Sequence, residues 1–296
     1  MVKQTNTKDY LDCLNFDLIA EAIETVRENE KPLATYDAED ARVLVWNALE
    51  RWLESDVKDL LITHVEQKVW VPIPGAPAAV TGVLDMQGQI RGLEKETKPF
   101  SGGRIIVDWK TTGGKLDTTW KNRLLDSFQW RLYSYFLGAK LFNYRGISRD
   151  GETRNLLIEV PETNDEEVIE YLSGASKMMG GLISSDLEVW PRHMPYACNA
   201  YNRECPFYND CRDYEAIPKM PVRFLERFKN GVIELSFTRL ERFLLCPEKE
   251  RRALVDKDSL ETDETNFGSS VHRGLAAAYK QVAEMFMSGL FGEVYE

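Results

Sequence analysis

Two aspartates and a lysine stand at the ends of two neighbouring apolar runs. The runs Ala79–Leu84 and Arg104–Val107 end at Asp85 and Asp108, and polar, glycine-containing residues lie between them. This is the pattern of a β-hairpin with one acid on each strand. Lys110 follows Asp108 by two residues, so alternation along the strand places both side chains on one face.

Two carboxylates that converge with a lysine favour metal-dependent chemistry on a phosphate. Bringing the two charges together is costly unless a hard divalent cation compensates them. We expect Asp85 and Asp108 to bind Mg²⁺ or Mn²⁺, and Lys110 to orient a water for attack on phosphorus. Taken alone, these three residues are equally compatible with an exposed hairpin that carries an ordinary salt bridge.

A helical pattern follows the hairpin, because apolar residues recur three and four positions apart over Asp117–Gly138. Within it Gln129 and Tyr133 are four residues apart and share a face. The ordered set of a GxxD strand at Gly82–Asp85, a DxK strand at Asp108–Lys110 and a QxxxY helix resembles the RecB-type branch of the PD-(D/E)xK nuclease superfamily. The resemblance implies an α/β fold with a restriction-endonuclease-like core, in which helices flank a mixed central sheet.

A short segment further along is dense in cysteine and poor in apolar residues. It reads CNAYNRECPFYNDC and contains Cys198, Cys205 and Cys211. In an intracellular chain such a segment is more typical of a metal site than of a disulfide framework. A tetrahedral site needs a fourth ligand, for which the chain offers Cys13 and Cys246. We expect Cys13 to be an ordinary buried thiol.

A second resemblance supplies the fourth ligand. Iron–sulfur members of the RecB-type group, including AddB-like nuclease domains and CRISPR-associated exonucleases, have one cysteine before the core and three after it. The resemblance implies a structural 4Fe-4S cluster, an iron–sulfur clasp, whose loss would lower stability and activity. Zinc is the alternative occupant, since four thiolates suit either metal. The implied ligands are Cys198, Cys205, Cys211 and Cys246.

The end of the chain resembles the segment that normally opens such domains. Residues 236–253 resemble its beginning, and Gly268–His272 resembles the motif in which a histidine binds the metal. The resemblance implies that His272 and the backbone carbonyl of Trp109 join the two aspartates as metal ligands. It also implies that Gln129 and Tyr133 position the nucleic-acid strand.

The order of these parts implies a circular permutation, which is physically feasible because chain termini often lie close together. We expect residues 1–216 to form the nuclease core with the three-cysteine segment and residues 217–232 to form a linker. Residues 233–296 would then be a permuted segment that packs on the core. The alternatives are that residues 233–296 begin a second, truncated nuclease domain, or that they swap onto a neighbouring chain to form a dimer.

The predicted helices at Phe16–Asn29 and Ala38–Leu61 read as scaffold. In the strand His64–Pro72, alternation places Glu66 on the more polar face. The resemblance to RecB-type enzymes implies that Glu66 neighbours the site as a possible metal ligand. His64 and His193 have no comparable context. Further patterns predict helices at Phe16–Asn29, Ala38–Leu61 and Asp165–Ile183, and a strand at Arg154–Pro161.

Charge indicates where a nucleic acid would bind. The net charge of −11 argues against a non-specific coat protein. Basic residues nevertheless gather beside the proposed metal site, and aromatic residues between them could stack on unpaired bases. The alternative is that these aromatics belong to the core, which we expect for Trp130 and Tyr135. The basic residues are Lys110, Lys115, Lys121, Arg123, Arg131, Lys140, Arg145 and Arg149, and the aromatics are Trp120, Trp130, Tyr133 and Tyr135.

Together these features predict a Mg²⁺- or Mn²⁺-dependent DNA exonuclease acting on DNA that is single-stranded or has free ends. No Walker A pattern is present, so unwinding would need a helicase partner, in recombination, repair, phage replication or CRISPR adaptation. No run is apolar enough to span a membrane, and we expect a cytoplasmic protein. The alternatives are a nuclease fold that has lost catalysis and acts as a binding subunit or inhibitor, and a phosphodiesterase that acts on RNA.

Overall fold

The computed structural model describes residues 10–29, 38–72, 78–184, 191, 198, 204–212, 233–255 and 263–288. The chain divides into two compact units. The first comprises Met1–Gln67, Val83–Asn164 and Thr262–Glu296, and the second comprises Lys68–Gly82 and Asp165–Glu261. The segment 233–296 is therefore shared between the two units. The linker predicted at 217–232 and His193 lie outside the described residues.

Helices and strands alternate along most of the chain, as an α/β fold requires. In chain order the elements are α1 (Phe16–Asn29), α2 (Ala38–Asp59), β1 (Leu60–Pro72), β2 (Ala78–Ile90), β3 (Arg104–Thr112), α3 (Thr118–Leu125), α4 (Gln129–Leu137), β4 (Leu141–Ser148), β5 (Thr153–Glu159), α5 (Asn164–Ser184), α6 (Tyr208–Arg212), β6 (Ile233–Ser236), α7 (Phe237–Leu245), α8 (Pro247–Val255) and α9 (Asp263–Met287). The predicted helices at 16–29, 38–61 and 165–183 and the predicted strands at 64–72 and 154–161 are confirmed to within a few residues at their ends.

The described strands form one mixed sheet in the order β1-β2-β3-β4-β5, and β6 pairs with the first residues of β2. The β2–β3 and β4–β5 pairs are antiparallel, whereas β3 and β4 are parallel. The predicted hairpin of β2 and β3 is confirmed. A mixed sheet flanked by helices is likewise confirmed.

Strand β4 has no counterpart in the sequence prediction. All of its residues are buried, yet Asn143 and Arg145 break the apolar run that a buried strand normally shows. Gly146 is required by close packing, because a Cβ atom there would lie 2.5 Å from the ring of Trp120 on α3. The strand is therefore stabilised by partners that are distant in sequence.

The helix predicted over Asp117–Gly138 is two helices, α3 and α4. The side chain of Asp117 caps the start of α3 by accepting the backbone N–H of Trp120, and α3 ends at Leu125, with Asp126 as its C-cap residue. The Ser127 hydroxyl then accepts the backbone N–H of Gln129, where α4 begins. Gln129 and Tyr133 both lie on α4, so the prediction that they share one helix is confirmed.

Helix α9 packs on α1, α2 and β3 in the core of the first unit. A buried polar group crosses this core: the Arg145 guanidinium binds both carboxylate oxygens of Asp56, and the Tyr279 hydroxyl donates to the same carboxylate. Asp56 and Arg145 are each 3% exposed. This network joins α2, β4 and α9, and it therefore restrains the helix that carries His272.

Among the described residues, no helix combines the length and the apolar character needed to cross a bilayer.

Candidate active site

The two aspartates lie directly beyond the paired part of the β2–β3 hairpin. The antiparallel ladder runs from Gln89 opposite Arg104 to Met86 opposite Val107. The next residues are Asp85 on β2 and Asp108 on β3, so the register brings the two acids to the same end of the ladder. The site is thus built where two adjacent strands stop sharing backbone hydrogen bonds.

The Asp85 carboxylate is held by groups from two other elements. Its Oδ2 accepts the backbone N–H of Trp109 at 2.8 Å and lies 3.5 Å from Nδ1 of His272. Burial disfavours the charged carboxylate, but His272, Lys110 and the Trp109 N–H together hold the pKa of Asp85 below its ordinary value. Asp85 is therefore an ionised acid at neutral pH.

Asp108 is 3% exposed and makes two polar contacts. Lys110 Nζ lies 2.6 Å from its Oδ2, and Gln129 Nε2 donates to its Oδ1 at 3.0 Å. Burial, partly offset by Lys110 and reinforced by Asp85, raises the pKa of Asp108 to about 6. The predicted same-face relation of Asp108 and Lys110 is confirmed by their ion pair.

The ammonium group of Lys110 is further oriented by an aromatic ring. It lies 5.7 Å from the ring centroid of Tyr144 on β4, within the range of a cation–π contact. Tyr133 lies one helical turn after Gln129, and burial and the Asp108 charge raise the pKa of its phenol above the ordinary range. Tyr133 is therefore a neutral hydroxyl that can donate a hydrogen bond.

His272 reaches the site from α9, far away in sequence from the other members. Close approach of α9 to β3 depends on Gly268, because a Cβ atom there would lie 2.7 Å from Oγ1 of Thr111. The Trp109 ring packs edge-on to His272, with centroids 6.2 Å apart. Burial lowers the pKa of His272, but Asp85 raises it, and the net shift is upward. Its imidazole is thus electrostatically coupled to Asp85.

Glu66 does not contribute a free carboxylate to the acid pair. Its two oxygens form ion pairs with Arg273 and Lys280 on α9, each at 2.6 Å. Its φ of 52° lies in the left-handed region, which costs a residue with a Cβ atom about 1 kcal/mol. This backbone interrupts the regular alternation predicted for β1. The possible role of Glu66 as a metal ligand is unsupported, because both oxygens are already paired.

The donor set at the acid pair fits a hard divalent cation. Asp85 and Asp108 occupy opposed positions at the end of the β2–β3 ladder, and carboxylate oxygens are the ligands that Mg²⁺ prefers. Among the residues that the structure describes, no three His, Cys, Asp or Glu side chains are arranged as a metal site. Binding of a cation by Asp85, Asp108, His272 and the Trp109 carbonyl would therefore require the donors to move closer together.

The cysteines form a separate cluster in the second unit. Cys198, Cys205 and Cys211 are buried together with Phe207, and the Cys205 N–H donates to the Cys198 carbonyl at 2.7 Å. Burial raises the pKa of the Cys198 thiol, and the nearby thiols of Cys205 and Cys246 add to the shift. Four buried thiols are suitable donors for an iron–sulfur cluster or for zinc.

Three sequence predictions about surface chemistry are wrong. Cys13 is exposed, not buried. Arg145, predicted among the basic residues beside the site, is buried against Asp56 and is not available to a phosphate. Trp120 is 4% exposed and so cannot stack on bases, whereas Trp130, also 4% exposed, lies in the core as we expected. The remaining exposed basic residues are Lys115, Lys121, Arg123, Lys140 and Arg149.

The sequence patterns did not predict two polar groups near the site. The Asp56, Arg145 and Tyr279 network joins residues up to 223 positions apart, and no local pattern identifies such a contact. Gln87 and its partner His64 form the other group. A local signal for Gln87 did exist, because it follows Asp85 by two residues and therefore lies on the same strand face.

Comparisons with known proteins leave the family open. Neither the family models nor the curated proteins yield a match to this chain. Among solved structures, the chain is similar to the crystal structure of SSO0001, with 18% sequence identity, a TM-score of 0.30, and coverage of 55% of this chain and 85% of that chain. A similarity at this TM-score supports no inference about fold or function.

Proposed function

We propose that this chain is a metal-dependent deoxyribonuclease with a PD-(D/E)xK core that removes nucleotides from DNA ends. The supporting observation is the convergence of one residue set. Asp85 and Asp108 meet at the end of the β2–β3 ladder, where Asp108 contacts Lys110 and Gln129 and Asp85 contacts His272. Assembling two acids with a lysine in a buried position is costly, and the cost is offset if the set binds a cation and a phosphate.

The donors of the metal would be Asp85, Asp108, His272 and the Trp109 carbonyl. Once bound there, Mg²⁺ or Mn²⁺ would supply a Lewis acid for the phosphate oxygens. Asp85 is ionised and so ready to act as a ligand. The His272 imidazole, which lies against the Trp109 ring, is oriented towards Asp85.

Lys110, Gln129 and Tyr133 would act on the water and the substrate. The Lys110 ammonium, held between Asp108 and the Tyr144 ring, would orient the attacking water and stabilise negative charge on the phosphate. Gln129 holds Asp108 in place through its amide. Tyr133, as a neutral hydroxyl, would donate to a phosphate oxygen and fix the strand beside the acids.

The four buried cysteines would hold a structural 4Fe-4S cluster, with zinc as the other occupant that thiols accommodate. A cluster would tie Cys246 to Cys198, Cys205 and Cys211, which otherwise form only a small apolar cluster. Iron, sulfide and zinc contents of anaerobically purified protein decide between the two metals. A matched Cys246→Ser protein should lose the metal, whereas Cys13→Ser should retain it.

The direct test is degradation of end-labelled DNA in Mn²⁺. Linear and circular substrates, single- and double-stranded, would be incubated with anaerobically purified wild type, Lys110→Met and Lys177→Met. Lys177 is an exposed lysine on α5 in the second unit, so it controls for the general loss of one positive charge. We expect Lys110→Met to lose about 100-fold in rate, Lys177→Met to match the wild type, and circular DNA to remain intact.

Each alternative has its own outcome. Cleavage of circles would replace the exonuclease with an endonuclease, and cleavage of RNA in preference to DNA would identify the other phosphodiesterase. Equal activity of Lys110→Met and wild type would contradict the assigned role of the site. Metal-loaded wild type that cleaves none of the substrates would favour a binding subunit or inhibitor that has kept the nuclease fold.

A further inference from the structure

A chain of three polar side chains lies across β1 and β2, beside the acids but outside the set described above. The amide nitrogen of Gln87 on β2 lies 2.6 Å from Oε1 of Gln67 and 2.5 Å from Nδ1 of His64, both on β1. Gln87 is 8% exposed, whereas the side chain of His64 is exposed. A buried amide therefore supports a histidine at the surface.

The hydrogen-bond roles in this chain follow from the donor count. An amide nitrogen has two hydrogens and accepts none. One hydrogen of Gln87 goes to the Gln67 oxygen, and the other goes to His64, so Nδ1 of His64 is the acceptor. A neutral imidazole then carries its proton on Nε2. No partner of Nε2 lies within the described residues, and this N–H is therefore available to a ligand.

The position of the chain relative to the acids follows from strand geometry. Asp85 and Gln87 are two residues apart on β2, so their side chains lie on one face of the sheet, about 7 Å apart along the strand. On this strand the alternate residues Leu84, Met86 and Ile90 are buried, which leaves the face of Asp85 and Gln87 as the more open one. His64 lies one strand further from the acids, on β1 beside Gln87, so a nucleic-acid strand bound at the acids would place a neighbouring phosphate on its side of the site.

We propose that His64 binds the phosphate next to the one that is cleaved, donating from Nε2–H, and that Gln87 is the positioning residue that orients its ring. The inference rests on the proposed nuclease function and deepens it. A second phosphate contact fixes the register of the strand, so that the scissile phosphate lies at Asp85 and Asp108 rather than between two positions.

The hydrogen bonds of Gln67 and Gln87 explain why His64 is held in one orientation. Burying an amide is costly unless it is hydrogen-bonded, and Gln87 meets this requirement with two partners. Gln67 in turn fixes which way the Gln87 amide faces, because its oxygen can only accept. His64 is thus held in one tautomer by two residues that do not themselves contact the substrate.

The test pairs a protein change with a matching change in the DNA. A methylphosphonate removes the charge of one phosphate, and it would be placed in turn on each side of the scissile position. His64→Phe keeps a flat ring but removes Nε2–H, and Gln87→Leu removes the support of that ring. Gln89→Ala is the control, because Gln89 is exposed on the same strand face two residues beyond Gln87. Thermal unfolding of each variant verifies that it is folded.

In wild type, we expect a methylphosphonate at one neighbouring position to slow cleavage about tenfold, the range of one hydrogen bond to a charged group. His64→Phe should cleave natural DNA about tenfold more slowly and should no longer respond to that methylphosphonate. Gln87→Leu should lose most of the response, whereas Gln89→Ala should keep it. Loss of the response is specific to a phosphate contact, because a purely structural defect would slow both substrates by the same factor.

Two results would overturn the inference, and they are distinguishable. If His64→Phe and the methylphosphonate slow cleavage by independent factors that multiply, the contact with the neighbouring phosphate does not exist while the nuclease function stands. If wild type cleaves neither natural nor modified DNA, the proposed function fails and this inference fails with it.

Discussion

The buried ion pair between Asp56 and Arg145 offers the sharpest test of what holds α9 in place. Arg145→Met would remove the guanidinium and retain much of the side-chain volume. It would leave the Asp56 carboxylate, 3% exposed, with the Tyr279 hydroxyl as its remaining partner in this network. It would also remove the cation that lies 5.0 Å from the ring of Trp52.

The magnitude follows from desolvation. An uncompensated buried charge costs about 3–5 kcal/mol when one partner of the pair is removed. By contrast, replacing the entire polar group by apolar residues removes the desolvation cost together with the attraction. The triple variant Asp56→Leu, Arg145→Met and Tyr279→Phe should therefore recover most of the unfolding free energy that Arg145→Met alone loses. Arg42→Met is the matched control: its ion pair with Glu24 spans 2.9 Å, and the arginine side chain is 40% exposed. We expect it to cost less than about 1 kcal/mol.

The assay is equilibrium unfolding in urea, followed by tryptophan fluorescence and circular dichroism on the same samples. Trp52 and Trp109 report on this core directly, since Trp52 lies by Arg145 and the Trp109 ring lies 5.5 Å from that of Tyr279. A loss for Arg145→Met no larger than that for Arg42→Met would refute the reasoning. So would a triple variant that is less stable than Arg145→Met alone.

Three further predictions concern stability. Gly274→Ala should lower the free energy of unfolding in urea by about 1–3 kcal/mol, because its Cβ atom would lie 2.7 Å from Val45. Gly174→Ala is the control: its Cβ atom would meet nothing within 4 Å, and the substitution should raise the free energy of unfolding by about 0.5–1 kcal/mol. Equal effects of the two substitutions would contradict the packing around Gly274. Burial, partly offset by the ion pairs with Arg242 and Arg239, raises the pKa of Glu250 to about 7 from 4.5, so its contribution to stability is present below about pH 4.5 and is lost as pH rises through 7. The unfolding free energy of Glu250→Gln relative to wild type should therefore rise by about 3 kcal/mol between pH 4.5 and pH 8, and a difference independent of pH would count against this assignment. Glu66→Gln should lower the free energy of unfolding, measured by thermal unfolding, by less than about 1 kcal/mol at low salt and not at all at high salt, because its basic partners are exposed. A large decrease that does not depend on salt would contradict this prediction.

Local spacing was sufficient wherever the relevant partners are close in sequence. Alternation correctly placed Asp108 and Lys110 on one face, since they form an ion pair. Apolar spacing predicted the bounds of α1 without error. The same reasoning failed within 117–138, because the capping residue Asp117 and the stop at Asp126 were outweighed by a continuous apolar pattern. Caps and breaks are single-residue signals that a periodicity does not include.

Polar residues in buried positions could not be predicted locally. Arg145 was assigned to a basic surface by its charge, but it is buried on β4, and its partner Asp56 is 89 residues away in sequence. Strand β4 was missed for the same reason, because Asn143 and Arg145 conceal its burial. Cys13 was assigned to the core from residue type alone, and the structure exposes it.

The sequence by itself determined the hairpin that carries Asp85 and Asp108 and the shared face of Gln129 and Tyr133. Each of these depends on a repeat of two or of three to four residues, which the chain specifies without reference to distant parts. Only the tertiary structure decided that Asp85 contacts His272 and that Gln87 orients His64. Such contacts depend on which strands are neighbours and on how closely a helix packs, as at Gly268, and these are properties of the whole fold.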